Sequence, residues 1–322
     1  KRLLLICLML FLVCLTGGCG TQEPVNNSVQ EKVAYEVIDE AGRKLTFTEK
    51  PQRIASLTYG TDEILTDLVG TKRIVGYSRW AGDPEITFIT KEQARKVGRK
   101  LEENTEAVLS VKPDLVVATT ASNNEIIHSL EALGLKVYLA GRPKNYEQMR
   151  VKVLKLGEAV GEKAKGEELV KQMDERIAKL ESKLCKIPAN ERKTVVAFNF
   201  ISPMGRKGDL IDNMLNMAHI NNGVAQIPNE FMTSYVSKEQ VVRINPDIFL
   251  LPTWNYDNRQ DIEGYLNRVQ NDPAYKDVKA IKNNQIKFVS DKYRYVASHY
   301  IVDAVENFAK AVYPEYFRGE KS

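Results

Sequence analysis

Cysteine is scarce in this 322-residue chain: there are four, and Cys7, Cys14 and Cys19 crowd the beginning. Once an N-terminal leader carrying Cys7 and Cys14 is removed, Cys19 and Cys185 remain, too few for a disulfide scaffold. Stability must come from apolar cores. Histidine is scarcer, with His128, His219 and His299 only, and none stands beside clustered Asp or Glu. Direct capture of a metal ion is therefore not expected, and each histidine is read as structural or solvent-exposed. Charge of one sign is also lacking: 46 basic residues face 42 acidic ones, for a net charge of +4. With no long basic run, no nucleic-acid partner is expected. The chain has no GxSxG, no HExxH, no GxxxxGK[ST] and no GxGxxG after a strand, so neither hydrolysis nor nucleotide chemistry is expected. The glycines of "GRKGD" read as a turn.

Hydrophobic residues make up 43% of the chain, the share of a folded soluble protein. The opening "KRLLLICLMLFLVCLTGGCG" has a basic start, an apolar run of about thirteen residues and small residues before Cys19, the pattern of a secretory signal too short to span a bilayer comfortably. Residues 1–18 are expected to be a signal peptide. "LTGGC" resembles a lipobox, which implies a diacylated Cys19 and an extracytoplasmic, membrane-anchored protein; Thr16 stands where Leu is usual. Residues 19–33 are polar and aperiodic, as in a flexible tether.

"YEVIDEAGRKLTF" predicts a hairpin. "RIASLTYG" predicts a strand, and "TDEILTDLVG" a helix capped by Thr61 and closed by Gly70. Strands at "IVGYS", "LVVATT" and "KVYLAG", with a helix at "NNEIIHSLEALG", complete an α/β lobe over residues 34–145. Residues 146–188 read as helical, with Leu169, Met173, Ile177, Leu180 and Leu184 forming one stripe on a long connecting helix that Pro188 ends. The pattern then restarts: strands "TVVAFNF", "DIFLLPT" and "QIKFVS", helices "DLIDNMLNMAH", "SKEQVVRI", "IEGYLNRVQ" and "SHYIVDAVENFAKAVYP", giving a second lobe over 189–322. The fold class is thus α/β, two similar lobes with mainly parallel sheets flanked by helices and joined by one long rigid helix, with a ligand cleft between them.

A phrase recurs at equivalent places: "NTEAVLSVKPDLVVATT" from Asn104 and "SKEQVVRINPDIFLLPT" from Ser237. Asn104 and Ser237 suit helix caps, Glu106 and Glu239 fall in first turns where the helix dipole favours an anion, and each Pro forbids continuation before Asp114 or Asp247. Physics alone reads this as a helix-turn-strand unit with a capping charge.

Together, "PQRIASLTYGTDEILTDLVGTKRIVGYS", the two phrases and "AIKNNQIKFVS" resemble the helical-backbone substrate-binding proteins of iron-siderophore, haem and cobalamin ABC importers, from about residue 35 onward. The resemblance implies that Glu106 and Glu239 dock on the two permease subunits, whose ATPase subunits power transport. Glu63 is a further family Glu at a helix start, with a weaker claim to that role. It implies a monomer that carries no cofactor and binds its ligand on loops after the strands. Those loops carry Tyr59, Arg79, Trp80, Arg99 and Lys100 in the first half, and Arg206, Lys207, Trp254, Tyr256, Tyr293, Arg294 and Tyr295 in the second. Aromatic faces with guanidinium groups suit a bulky, partly apolar anion, which points to a ferric siderophore. The tyrosines at 293 and 295 keep haem open, as does cobalamin by family. His299 departs from the family, which often has a Pro-Arg pair near "ASHY", and a role for it at the cleft edge stays open.

Overall fold

The computed structural model describes residues 34–228, 235–255 and 261–319. Cys19 and Tyr256 lie outside them.

The chain enters through an antiparallel hairpin, β1 (Tyr35–Ile38) and β2 (Lys44–Phe47), as the alternation predicts. Its turn is held by Asp39, whose carboxylate accepts the Ala41 and Arg43 N–H groups and pairs with the Arg43 guanidinium. Leu139 N–H also reaches Asp39, fastening the hairpin to the sheet behind it.

The first sheet is built from β3 (Ile54–Ser56), α1 (Tyr59–Val69), β4 (Ile74–Ser78), α2 (Lys91–Val97), β5 (Lys100–Leu101), α3 (Thr105–Ser110), β6 (Leu115–Thr119), α4 (Asn124–Ala132) and β7 (Val137–Ala140). Its order is β5-β4-β3-β6-β7, all parallel. The strands read as nearly unbroken Val, Ile, Leu and Ala because helices cover both faces. Helix α1 starts earlier than its sequence predicts: Thr58 is the N-cap and accepts from Thr61 N–H, so Thr61 sits inside the first turn. Gly70 closes it at φ 68°, where only glycine is unstrained. Helix α2 and strand β5 have no counterpart in the sequence prediction; "KEQARKV" buries no residue and so carries no apolar stripe.

Helices α5 (Tyr146–Ala159) and α6 (Lys163–Leu184) follow. At 22 residues α6 spans about 33 Å. Of the predicted stripe, Met173, Leu180 and Leu184 are buried and Leu169 and Ile177 half-buried. Its first turn lies so close to α5 that a Cβ on Gly157 would come within 3.2 Å of Gly166 Cα.

The second sheet comprises β8 (Thr194–Phe198), β9 (Pro203–Met204), α7 (Leu210–Met217), β10 (Asn221–Asn222), α8 (Lys238–Ile244), β11 (Ile248–Leu251), α9 (Ile262–Gln270), α10 (Lys279–Lys282), β12 (Ile286–Phe288), α11 (Asp291–Arg294) and α12 (Ile301–Val312). Strands β10-β8-β11-β12 are parallel, and β9 runs antiparallel on β8. His219 lies just past α7 with φ 57°, not within the helix its sequence suggests, and its ring joins Glu181 to Arg192. One apolar core runs through both sheets: Leu115 and Val117 of the first, Val195 and Leu250 of the second, with Met173 of α6 and Phe308 of α12, belong to a single cluster.

The repeated phrase folds the same way twice. Asn104 caps α3 and Ser237 caps α8, the latter with a reciprocal bond from Gln240. Lys112 (φ 47°) and Asn245 (φ 49°) then take the left-handed conformation immediately before each Pro. The Pro-Asp step has a purpose beyond stopping the helix. Asp114 accepts the Arg53 N–H at 2.9 Å and returns its own N–H to Arg53 O; Asp247 does the same with Thr194, at 2.9 and 2.8 Å. Each carboxylate therefore clamps the entry of the neighbouring parallel strand, which fixes register before the ladder begins.

Candidate ligand cleft

Loops at the C-terminal ends of β3, β4, β8 and β11 meet the segment after β12 around a cavity of about 480 Å³. Trp80, from the loop after β4, stands edge-to-face with Trp254, from the loop after β11, with centroids 5.1 Å apart. Trp254 Nε1 donates to Asp83 at 3.0 Å, and the Arg79 guanidinium lies 4.2 Å over the Trp80 ring. Asp291 fixes this wall from behind by accepting the Thr253 and Trp254 N–H groups, both at 2.7 Å. An aromatic floor with one stacked cation suits a flat or bulky guest of mixed polarity.

Tyr59 closes one end of this space by donating its hydroxyl to Tyr295 O at 2.9 Å, and burial pushes its phenol up to about 12. Beyond this pair lies a second cavity of about 720 Å³, bordered by Arg142, Lys144 and Lys152. Lys152 is buried and donates to Ala297 O at 2.8 Å. Loss of hydration pulls its ammonium down to about 8, opposed by the nearby Glu63 carboxylate.

The stretch 295–299 is fastened along α1 at every turn. Tyr59 holds Tyr295, Glu63 accepts from Ser298 Oγ at 2.5 Å, and Asp67 pairs with His299 Nε2 at 2.8 Å. Glu63 also accepts from Thr87 Oγ1 and Phe88 N–H and is 1% exposed. It is an interior residue, which removes it from any docking surface. Burial raises its carboxyl pKa against these donors. His299 thus serves the fastening, with its Nδ1 buried and lacking a partner among the described residues. Beside Glu63 in sequence, Asp62 accepts from Ser78 N–H and Oγ, and complete burial pushes its carboxyl up to about 7.

Of the residues expected in the cleft, Tyr59, Arg79, Trp80, Trp254 and Tyr295 line it together. Arg294 reaches the wall of the second cavity, but its guanidinium turns inward to Asp291 and Phe198 O with no side-chain exposure, so it holds the wall and presents no charge to a guest. Tyr293 packs edge-on against Phe88 at 5.4 Å, outside both cavities. Arg99 and Lys100 are exposed at edge strand β5, and Arg206 and Lys207 on the turn before α7; none of the four borders either cavity. Sequence reading missed Asn199 and Phe200, which border the first cavity, and Arg142, which borders the second. Arg142 directly follows the strand read at "KVYLAG", so the rule that picked Tyr59 reaches it; Asn199 and Phe200 were hidden because "TVVAFNF" reads as strand to its end, whereas β8 stops at Phe198. Lys152 gives no such signal, because it sits mid-helix. Glu106 and Glu239 are both exposed, at the second position of α3 and α8.

A family model described as periplasmic binding protein matches residues 54–293. The probable siderophore-binding lipoprotein YfiY of Bacillus subtilis (strain 168) is 24% identical, aligned over 96% of this chain and 98% of that protein. The Fe(3+)-citrate-binding protein YfmC of the same organism is 24% identical over 89% of each. A periplasmic binding protein from Veillonella parvula DSM 2008 superposes with a TM-score of 0.70 at 20% identity, covering 88% of this chain and 92% of that one. The chain belongs to the periplasmic binding protein family, as a non-enzymatic substrate-binding protein.

Proposed function

We propose that this protein captures a ferric siderophore in the cleft between its two sheets and delivers it to the permease of an ABC importer. The observation that carries this reading is the convergence of both tryptophans of the chain and the Arg79 guanidinium on one cavity. The iron stays inside its chelate, held by contacts and not by protein ligands. Residues 34–145 and 189–322 act as lobes joined through 146–188. Glu106 and Glu239, one from each lobe, meet the two permease subunits. Cys19 carries the lipid that keeps the monomer at the outer face of the cytoplasmic membrane, with 19–33 as tether; among the described residues no helix is long and apolar enough to cross a membrane.

The test is a binding panel on the mature chain, read by tryptophan fluorescence, with ferric siderophores of the catecholate, hydroxamate and carboxylate classes, haemin and cobalamin. Saturable quenching by a ferric siderophore, with the ligand recovered unchanged, is expected. Tight binding of haemin or cobalamin alone would sink the assignment in favour of the other ligands of this class.

A further inference from the structure

We infer that the cleft is bipartite, and that the chamber bordered by Arg142, Lys144 and Lys152 holds the carboxylate arms of a polyanionic iron chelate whose bulk faces Trp80 and Trp254. This rests on the receptor reading above and narrows its ligand to a carboxylate-bearing, net negative chelate.

Three observations support it. First, the two cavities share Tyr59 and Tyr295, so a guest longer than either can lie across that pair. Second, their electrostatics differ. Around the aromatic cavity the one lining cation is Arg79, which has Glu102 at 3.7 Å, while Asp83, Glu85 and Asp291 supply carboxylates to its wall. Around the second cavity, Arg142 and Lys144 are exposed and their side chains have no hydrogen-bond or ion-pair partner among the described residues. Their neighbours on the same stretch are neutralised, Arg150 by Asp174 and Lys155 by Glu40. Asp209 is the lining carboxylate there, and it already accepts the Arg206 N–H at 3.1 Å. Third, Lys152 is fixed by its bond to Ala297 O and faces the Glu63 carboxylate, so it supplies a rigid wall and leaves Arg142 and Lys144 as the uncompensated charges of the chamber. Unpaired cations on a concave surface bring in an anion and fix its register, and a guanidinium receives a carboxylate through two parallel hydrogen bonds. A neutral chelate would leave both Arg142 and Lys144 unused.

The experiment measures calorimetric affinity of the mature chain for ferric citrate, an uncharged ferric hydroxamate, haemin and cobalamin, in wild type, R142A/K144A and W80A/W254A. Both substituted cations are exposed, so the fold persists. The expected result is a loss of roughly 10- to 100-fold for ferric citrate in R142A/K144A, a flatter salt dependence, and affinity for the neutral chelate within about threefold of wild type. Wild-type affinity for ferric citrate in R142A/K144A, with loss in W80A/W254A, overturns the basic chamber and leaves the receptor reading standing. A wild type that binds haemin or cobalamin but neither iron chelate overturns both.

Discussion

Ser298 Oγ donates to the Glu63 carboxylate at 2.5 Å across 235 residues of chain, joining the start of the last helical segment to the first helix. The same carboxylate gathers Thr87 Oγ1 and Phe88 N–H and faces the buried Lys152. Replacing Glu63 by Ala leaves these donors and that ammonium uncompensated, a change worth about 3–5 kcal/mol for buried charge partners. Ser298→Ala, which removes one donor, costs about 1.5–3 kcal/mol. Urea unfolding checks both, and a cost below about 1 kcal/mol for Glu63→Ala would show that the contact holds nothing together.

The duplicated strand clamp gives a paired expectation. Asp114→Ala and Asp247→Ala each free one strand entry and should each destabilise by about 1–2 kcal/mol, with similar values at the two sites. Markedly unequal costs in urea unfolding would argue that the two units are alike in wording and not in mechanics.

Asp62 gives the stability a pH dependence. Its carboxyl has an ordinary value of 3.8 and stands at about 7 in the fold, so between those values the folded chain keeps a proton that the unfolded chain releases. The contribution is complete at low pH and is lost as pH rises from about 4 to about 7, at up to about 1.4 kcal/mol per pH unit. Thermal unfolding across that window should show a shallower decline in Asp62→Asn than in wild type; parallel curves would assign the dependence elsewhere.

For docking, Glu106→Ala with Glu239→Ala is expected to abolish stimulation of the reconstituted transporter's ATPase while ligand affinity stays at the wild-type value. Both carboxylates are exposed and neither borders either cavity, so a loss of ligand binding would contradict the docking role.

Much of this was written in local pattern. Buried parallel strands announce themselves because both faces demand apolar residues, and the caps at Asn104 and Ser237 follow from side chains that compete for the same N–H groups. The helix start at Thr58 was misplaced to Thr61 because both residues have the same hydroxyl and lie three apart; only the extended backbone at Thr58 decides between them. In the cleft, aromatics were easier to read than charges. Trp80 and Trp254 have few places to go, whereas Arg294 sits on a cleft loop and still turns inward to Asp291. Whether a cation faces a guest depends on which carboxylate lies within reach, and that is a property of distant residues.

The fastening of 295–299 along α1 also has a kinetic meaning. Three bonds spaced one helical turn apart, from Tyr59, Glu63 and Asp67, behave as a seam that opens only if all yield together. A guest then enters a site already assembled, and little chain entropy is spent on capture. The same rigidity lengthens residence, because the walls do not part spontaneously. Letting go becomes the hard step, and the force for it has to be applied from outside, by whatever grips both halves of the chain at once.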